Sequence, residues 1–205
     1  MRTVHHAFQA HDLVGGDLAV DFVNTVTARD SEPSDWVDGY GALIGWARLT
    51  GGFSKKELAQ LDELARREPA KALAALGRCK ALREALCSVL YAIIEGRAPK
   101  APDLATVDDV RLAAAKAAKL VAKDGRLRTE WSVERSGLDL MAYVVVVHAI
   151  ELLKDARLDR LRLCDGSDCG WVFIDTSKNG RRRWCDMATC GNTAKARRHY
   201  ARQSE

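Results

Sequence analysis

The chain has 205 residues, 47% of them hydrophobic and 29% charged, with a net charge of +4. These values suit a folded soluble protein and exclude disorder as the main state. No apolar run approaches the roughly 20 residues of a membrane span, and Met1–His6 lacks the apolar stretch of a signal peptide. A cytoplasmic protein without a membrane partner is therefore expected, and in that setting the six cysteines read as free thiols or metal ligands.

Leu18–Val26 is ambiguous by pattern. Leu18, Val20 and Phe22 alternate as in a strand, whereas Asp21, Asn24 and Thr25 share a helical face. We read a helix, on which those three form a polar patch in apolar surroundings. Buried polar groups need partners, and two explanations stand side by side. One is a pocket for a small-molecule effector, with Arg29 or Arg83 nearby. The other is an internal hydrogen-bond network that fixes the helix.

Asp35–Leu49 follows Ser34 with roughly helical spacing of Trp36, Val37, Leu43, Ile44 and Ala47, and Thr50-Gly51-Gly52 ends it. Ser54 and Glu57 form a capping box for a helix that runs to Arg67. Pro69 suits the first turn of the next helix, which continues to Glu95 with Gly96 as its stop. Cys79 and Cys87 on that helix lie about 12 Å apart along the axis, too far for a disulfide, and read as core residues. Beyond Pro99 and Pro102, Leu104–Lys119 is Ala-rich and helical. Asp124-Gly125 signals the turn of a hairpin within residues 120–133. Leu138–Leu158 is apolar almost all round and belongs at the centre of the fold, with His148 as a core histidine.

The chain then changes character. Four cysteines fall as Cys164-x4-Cys169-x15-Cys185-x4-Cys190. Two short-range pairs separated by such a segment are the pattern of a structural zinc site, since zinc takes four ligands in a tetrahedron and thiolates suit it. Buried free thiols or a redox pair are the competing explanations. In the intervening segment Trp171–Ile174 is β-prone, Asn179-Gly180 is a turn signal, and Arg181–Trp184 is expected to return as the second strand. Asn192 or Thr193 caps a following helix on which Lys195, Arg198, His199 and Arg202 share a face, with Arg197 to one side. Thr176–Arg202 carries eight basic residues against Asp186 alone, which is the charge pattern of a nucleic-acid contact or of a solvated basic tail.

Cys-Gly-Asn before a basic helix, with Cys-Gly-Trp-Val-Phe-Ile-Asp-Thr-Ser-Lys-Asn and Arg-Arg-Trp-Cys-Asp-Met ahead of it, resembles the CGNR zinc-finger family over Leu163–Arg202. Thr193 stands where that family's name has Arg, which removes one phosphate or base contact. Gly16–Thr25, and more weakly Leu82–Leu86, resemble the ABATE domain that accompanies it. The resemblance implies a stress-induced bacterial transcription regulator whose N-terminal domain senses a ligand.

The expected architecture is mainly α. Residues 13–160 form an ABATE-like helical domain with a small β-hairpin, and residues 161–205 a CGNR-type finger of zinc-bound β-hairpin and helix. One structural Zn2+ per chain is expected on Cys164, Cys169, Cys185 and Cys190. Arg181, Arg182, Arg183, Lys195, Arg197, Arg198 and Arg202 are the candidate nucleic-acid contacts, and Asp21, Asn24, Thr25 and Arg83 the candidate effector site. A single finger buries little DNA surface, so a homodimer or a second DNA contact is expected where specificity is high. The alternative is a zinc-stabilised module whose basic tail contacts an acidic protein or RNA. An enzyme is not expected, because a four-cysteine zinc keeps no open position and the chain has no Gly-rich phosphate loop, His-Glu-x-x-His or Gly-x-Ser-x-Gly.

Overall fold

A computed structural model describes residues 1–203, without the side chains of Lys123, Arg198, His199, Arg202 and Gln203. Strand β1 (Arg2–Thr3) precedes the six-residue helix α1 (Leu18–Val23). Asp17 caps α1, accepting from the Ala19 N–H at 3.0 Å. A helix this short has no stability of its own. It persists because Leu18, Ala19, Val20, Phe22 and Val23 are all buried in the main core.

Strands β2 (Val26–Thr27) and β3 (Ser34–Asp35) pair antiparallel, and β1 adds parallel to β3. The sequence pattern placed Asp35 at the start of a helix. Helix α2 (Tyr40–Thr50) begins five residues later, because the Asp35 carboxylate is drawn away to a buried ion pair. Helix α3 (Lys55–Arg67) has the expected box, with Ser54 Oγ accepting from Glu57 N at 3.2 Å and Glu57 from Ser54 N at 2.7 Å. Helix α4 (Pro69–Ile94) begins on its proline. Helix α5 (Ala101–Ala117) starts three residues before Leu104, since Pro102 is accepted within its first turn.

Strands β4 (Lys119–Lys123) and β5 (Arg126–Glu130) form the expected hairpin. Asp124 and Gly125 both take positive φ, 53° and 71°, as a two-residue hairpin turn of this hand requires. After α6 (Val133–Ser136), helix α7 covers Leu140–Leu152. It is shorter than its apolar pattern suggested, because Gly137–Asp139 and Ala156–Arg160 tighten into 3-10 turns. Met141, Val145, Val146 and Leu152 are buried, and α7 packs against α1, α4 and α5. His148 is half-buried at the edge of the core beside Trp131, rather than within it.

Two short strands close the fold. β6 (Leu161–Leu163) pairs antiparallel with β7 (Val172–Ile174), in the register Leu161 to Ile174 and Leu163 to Val172. Leu161, Val172 and Ile174 lie in the same core as α1 and α7. A wide π-helical turn, Met187–Gly191, then runs into helix α8 (Asn192–Gln203).

One ion-pair network lies inside this core. Arg83 is fully buried and grips Asp35 with two hydrogen bonds of 2.8 Å. Its Nη1 also donates to Thr25 Oγ1 at 3.0 Å and its Nε to Glu84 at 2.9 Å. Lys80 reaches Asp35 at 2.8 Å, and Glu84 takes Arg29 at 2.8 Å. Burial works against the charge of Asp35. The hydrogen bonds and charge of Arg83, then Lys80 and the Val37 N–H, outweigh it and hold the carboxyl at about 2.

A depressed carboxyl stabilises the fold above its unfolded value of about 3.9 and loses that contribution as pH falls toward its folded value. Urea melts at pH 7 and pH 3 are expected to show this loss in the native chain and a smaller one in Asp35→Asn. Arg83→Ala, which leaves Asp35 buried without its main partner, is expected to cost about 3–5 kcal/mol at pH 7.

Candidate metal centre and its surroundings

The four cysteines of the last 42 residues converge. Their sulfur atoms all lie within 4.8 Å of one another. Cys169 to Cys185 and Cys185 to Cys190 are each 3.7 Å. A tetrahedron of thiolates at about 2.3 Å from zinc has edges of about 3.8 Å, whereas a disulfide sulfur pair sits at about 2.05 Å. The spacing is that of a ligand shell. Cys164 and Cys185 are buried and Cys169 and Cys190 half-buried, so the set closes around the ion. One structural zinc per chain fits this site.

The knuckle loops aim N–H groups at the sulfurs. Gly166 N and Cys185 N donate to Cys164 Sγ at 3.4 and 3.3 Å. With the Cys169 and Cys185 side chains also hydrogen-bonded to it, the Cys164 thiol is pulled far below its ordinary value. By contrast Cys79 and Cys87, in the helical core, are pushed up by burial, to about 12 and about 11. Those two are the inert core thiols expected from their spacing.

The strand expected at Arg181–Trp184 is absent among the described residues. Asp175 follows β7 directly and is buried. Its carboxylate accepts from Ser177 N at 2.8 Å and Arg182 N at 2.9 Å, which folds the intervening loop back on itself and prevents a straight return. Arg182 then turns inward, donating to the Trp184 carbonyl at 2.8 Å and to that of Cys185, with its guanidinium 4.6 Å from the centre of the Phe173 ring. A single backbone bond, Asp165 N to Arg183 O at 2.8 Å, sets the second knuckle beside the first. The cap of the C-terminal helical segment also differs from expectation. Asp186, not Asn192 or Thr193, accepts from Thr189 N at 2.9 Å at the head of the π turn.

The helical part grips this module through several buried bonds. The Asn24 carboxamide brackets Val172, its Nδ2 donating to the carbonyl at 2.8 Å and its Oδ1 accepting from the N–H at 3.0 Å. Trp171 Nε1 donates to Val26 O at 2.9 Å, Ile174 N to Gly15 O at 2.9 Å, and Tyr91 Oη to Gly170 O. Gly170 has φ +64°, and a Cβ there would come within 2.6 Å of Arg29 Cβ. The close approach of the knuckle to the helical part thus requires glycine at this position.

Asp21, Asn24, Thr25 and Arg83 were the candidate effector site. The structure spends them on the fold. Asp21 Oδ1 accepts from Gly15 N at 2.7 Å, and burial pushes its carboxyl up to about 7. Asn24 holds Val172, while Thr25 donates to Phe22 O at 2.7 Å and accepts from Arg83. None of the four lines the cavity beside the cysteines or the groove between α3 and α4. Their hydrogen bonds are those of an internal network.

The basic residues divide by what holds them. Arg181 and Lys195 are exposed. Arg183 pairs with Asp165 at 2.6 Å, and Arg197 reaches Ser167 and, at 3.2 Å, Asp168, with both partners of each ion pair largely exposed. Arg182 faces inward, as described. Arg198 and Arg202 lie outside the described residues as far as their side chains are concerned. Sequence reasoning missed Asp35, Trp36 and Asp175. Only Asp175 carried a local signal, an acidic residue directly before Thr-Ser-Lys-Asn-Gly, which is turn chemistry.

Two family models match the chain. One is described as "CGNR zinc finger" and covers residues 160–203. The other is ABATE, described as "Putative stress-induced transcription regulator", and covers residues 16–156. The chain matches no curated protein well enough to count as a relative.

Metal analysis is expected to find about one zinc per chain, and a Cys185→Ser, Cys190→Ser double variant to lose it. Chelation should lower the melting temperature of the helical circular dichroism signal, because β7 is shared with the helical core. Asn24→Ala leaves two buried backbone groups of Val172 unsatisfied and is expected to cost about 1–3 kcal/mol in denaturant melts.

Proposed function

Because the chain belongs to the ABATE family, with a CGNR zinc finger behind it, we propose that it is a DNA-binding transcription regulator and not an enzyme. Its zinc module presents α8 and the Arg181 loop to phosphate. The observation that carries this reading is the charge of the finger. Asn192–Gln203 holds four basic residues and no acidic one, on a helix tied at its start to the metal knuckle. A helix fixed in this way can hold guanidinium groups in register with a duplex backbone.

The weak ion pairs of the module support the reading. Exposed pairs contribute about 0–1 kcal/mol, so Arg183 and Arg197 can leave Asp165 and Asp168 for phosphate at little cost. Arg182 differs. It closes two backbone carbonyls next to a zinc ligand, and its removal acts on the module rather than on DNA. Lys195, Arg198 and Arg202 share one face of α8 by their spacings of three and four. Together with Arg181 they are the phosphate contacts of this proposal. The N-terminal part carries the sensing role through a site other than the Asn24 network.

Binding to genomic DNA fragments, measured across a range of salt, tests this. Each lost phosphate contact should reduce the logarithmic salt slope by about 0.9. An Arg181→Ala, Lys195→Ala, Arg198→Ala triple variant with full zinc content is expected to lower that slope by about 2–3. Arg182→Ala is expected to lower thermal stability and zinc retention instead. Unchanged DNA affinity in the triple variant would leave the proposal without support and would point to an acidic protein or RNA as the partner.

A further inference from the structure

The cavity beside the cysteines is lined by three of the four zinc ligands, Cys169, Cys185 and Cys190, and extends beyond them to Trp36 and Trp184. It is a half-open cavity of about 630 Å3, within the range of small-molecule sites. It lies where three parts of the chain meet: Asp12 and Trp36 from the N-terminal part, Asp165 and Asp168 from the first knuckle, and Trp184 from the second.

Its walls combine aromatic surface with negative charge. Trp36 meets Trp171 edge to face at 5.5 Å, and Trp184 lines the same space. Four carboxylates, those of Asp12, Asp165, Asp168 and Asp186, line it beside His11, Arg183 and Arg197. Asp12 is held by His6 at 2.9 Å and the Gln9 N–H at 2.7 Å, and Asp186 by the Thr189 N–H and hydroxyl, which leaves Asp165 and Asp168 with only exposed arginine pairs. Cys169, Cys185 and Cys190 also line the cavity, and a zinc ion with four thiolates adds two further negative charges. The chain already supplies a picture of what such walls attract. The Arg183 guanidinium lies 5.3 Å from the centre of the Trp184 ring while bonding Asp165 at 2.6 Å. That is a cation held by an indole and a carboxylate together. Both this pair and Arg197 with Asp168 are largely exposed, and so weakly held.

We propose that this cavity binds a small organic cation, an aromatic or quaternary ammonium, against the indoles of Trp36 and Trp184 with its charge on Asp165 and Asp168. The cation displaces Arg183 and Arg197 from their carboxylates and frees both guanidinium groups beside the basic face. Bound ligand therefore raises DNA affinity, and by linkage DNA raises ligand affinity by the same factor. This consequence rests on the regulator reading, whereas binding of the cation does not.

The test uses the full zinc-loaded chain without DNA. It is titrated calorimetrically with benzyltrimethylammonium and, separately, with 3-phenylpropionate as an anion of similar size. The cation is expected to saturate one site per chain, at least about tenfold more tightly than the anion. An Asp165→Asn, Asp168→Asn double variant, with zinc content and melting unchanged, is expected to weaken it by about tenfold. Trp36→Leu provides a second variant acting on the aromatic wall. Absence of saturable cation binding, equal binding of the two probes, or native affinity in both variants overturns the proposal. In a separate arm, saturating benzyltrimethylammonium is expected to raise affinity for a DNA fragment. A chain that binds the cation but no DNA sinks the regulator reading and leaves the site standing. A chain that binds both without coupling overturns the displacement of Arg183 and Arg197.

Discussion

Four sulfur atoms within 4.8 Å of one another impose the strongest constraint on this molecule. Thiolates at that separation repel, and a dication at their centre turns the repulsion into a bonded shell. From that shell the rest of the C-terminal part follows. The two knuckles are fixed relative to each other, Arg182 closes the carbonyls around the second, and the π turn leads from Cys190 straight into α8. Without the ion the α8 segment loses its anchor at Cys190 and keeps the exposed contacts of Arg197 with Ser167 and Asp168, and an isolated helix of twelve residues is marginal in water.

The metal module is not a pendant. Its strand β7 lies in the helical core, and the Asn24 carboxamide supplies the hydrogen bonds that a neighbouring strand would otherwise give to Val172. Trp171 and Ile174 add bonds to the backbone carbonyls of Val26 and Gly15, and the Gly170 carbonyl accepts from the Tyr91 hydroxyl. Any change in the N-terminal part near α1 is therefore felt at the first knuckle through rigid, buried contacts. That is the physical basis for coupling between the sensing and DNA-binding roles proposed for the two parts.

What the sequence revealed and what it concealed divide by range. The capping box at Ser54, the turn at Asp124-Gly125 and the spacing of the four cysteines are local signals, and each was legible. Asp35 was misplaced on a helix because its fate is set by Arg83, 48 residues away. The β6–β7 pairing was missed because the Asn179-Gly180 turn signal is real, but Asp175 bends the chain first. The polar patch of Asp21, Asn24 and Thr25 was visible as an anomaly. Its meaning lay with partners elsewhere in the chain, Val172 above all. The cavity gave no sequence signal, since its walls come from three separated segments.

The bond between Asn24 and Val172 spans 148 residues, and that span has a consequence for biosynthesis. The ribosome makes Asn24 148 residues before Val172. At about 5–20 residues per second, α1 waits on the order of ten seconds for the partner that satisfies its last turn. During that interval its five apolar side chains have neither α7 nor β7 to cover them. The last turn of α1 is thus completed only when the first knuckle is made, and the finger is as much a part of folding the helical core as of holding the metal.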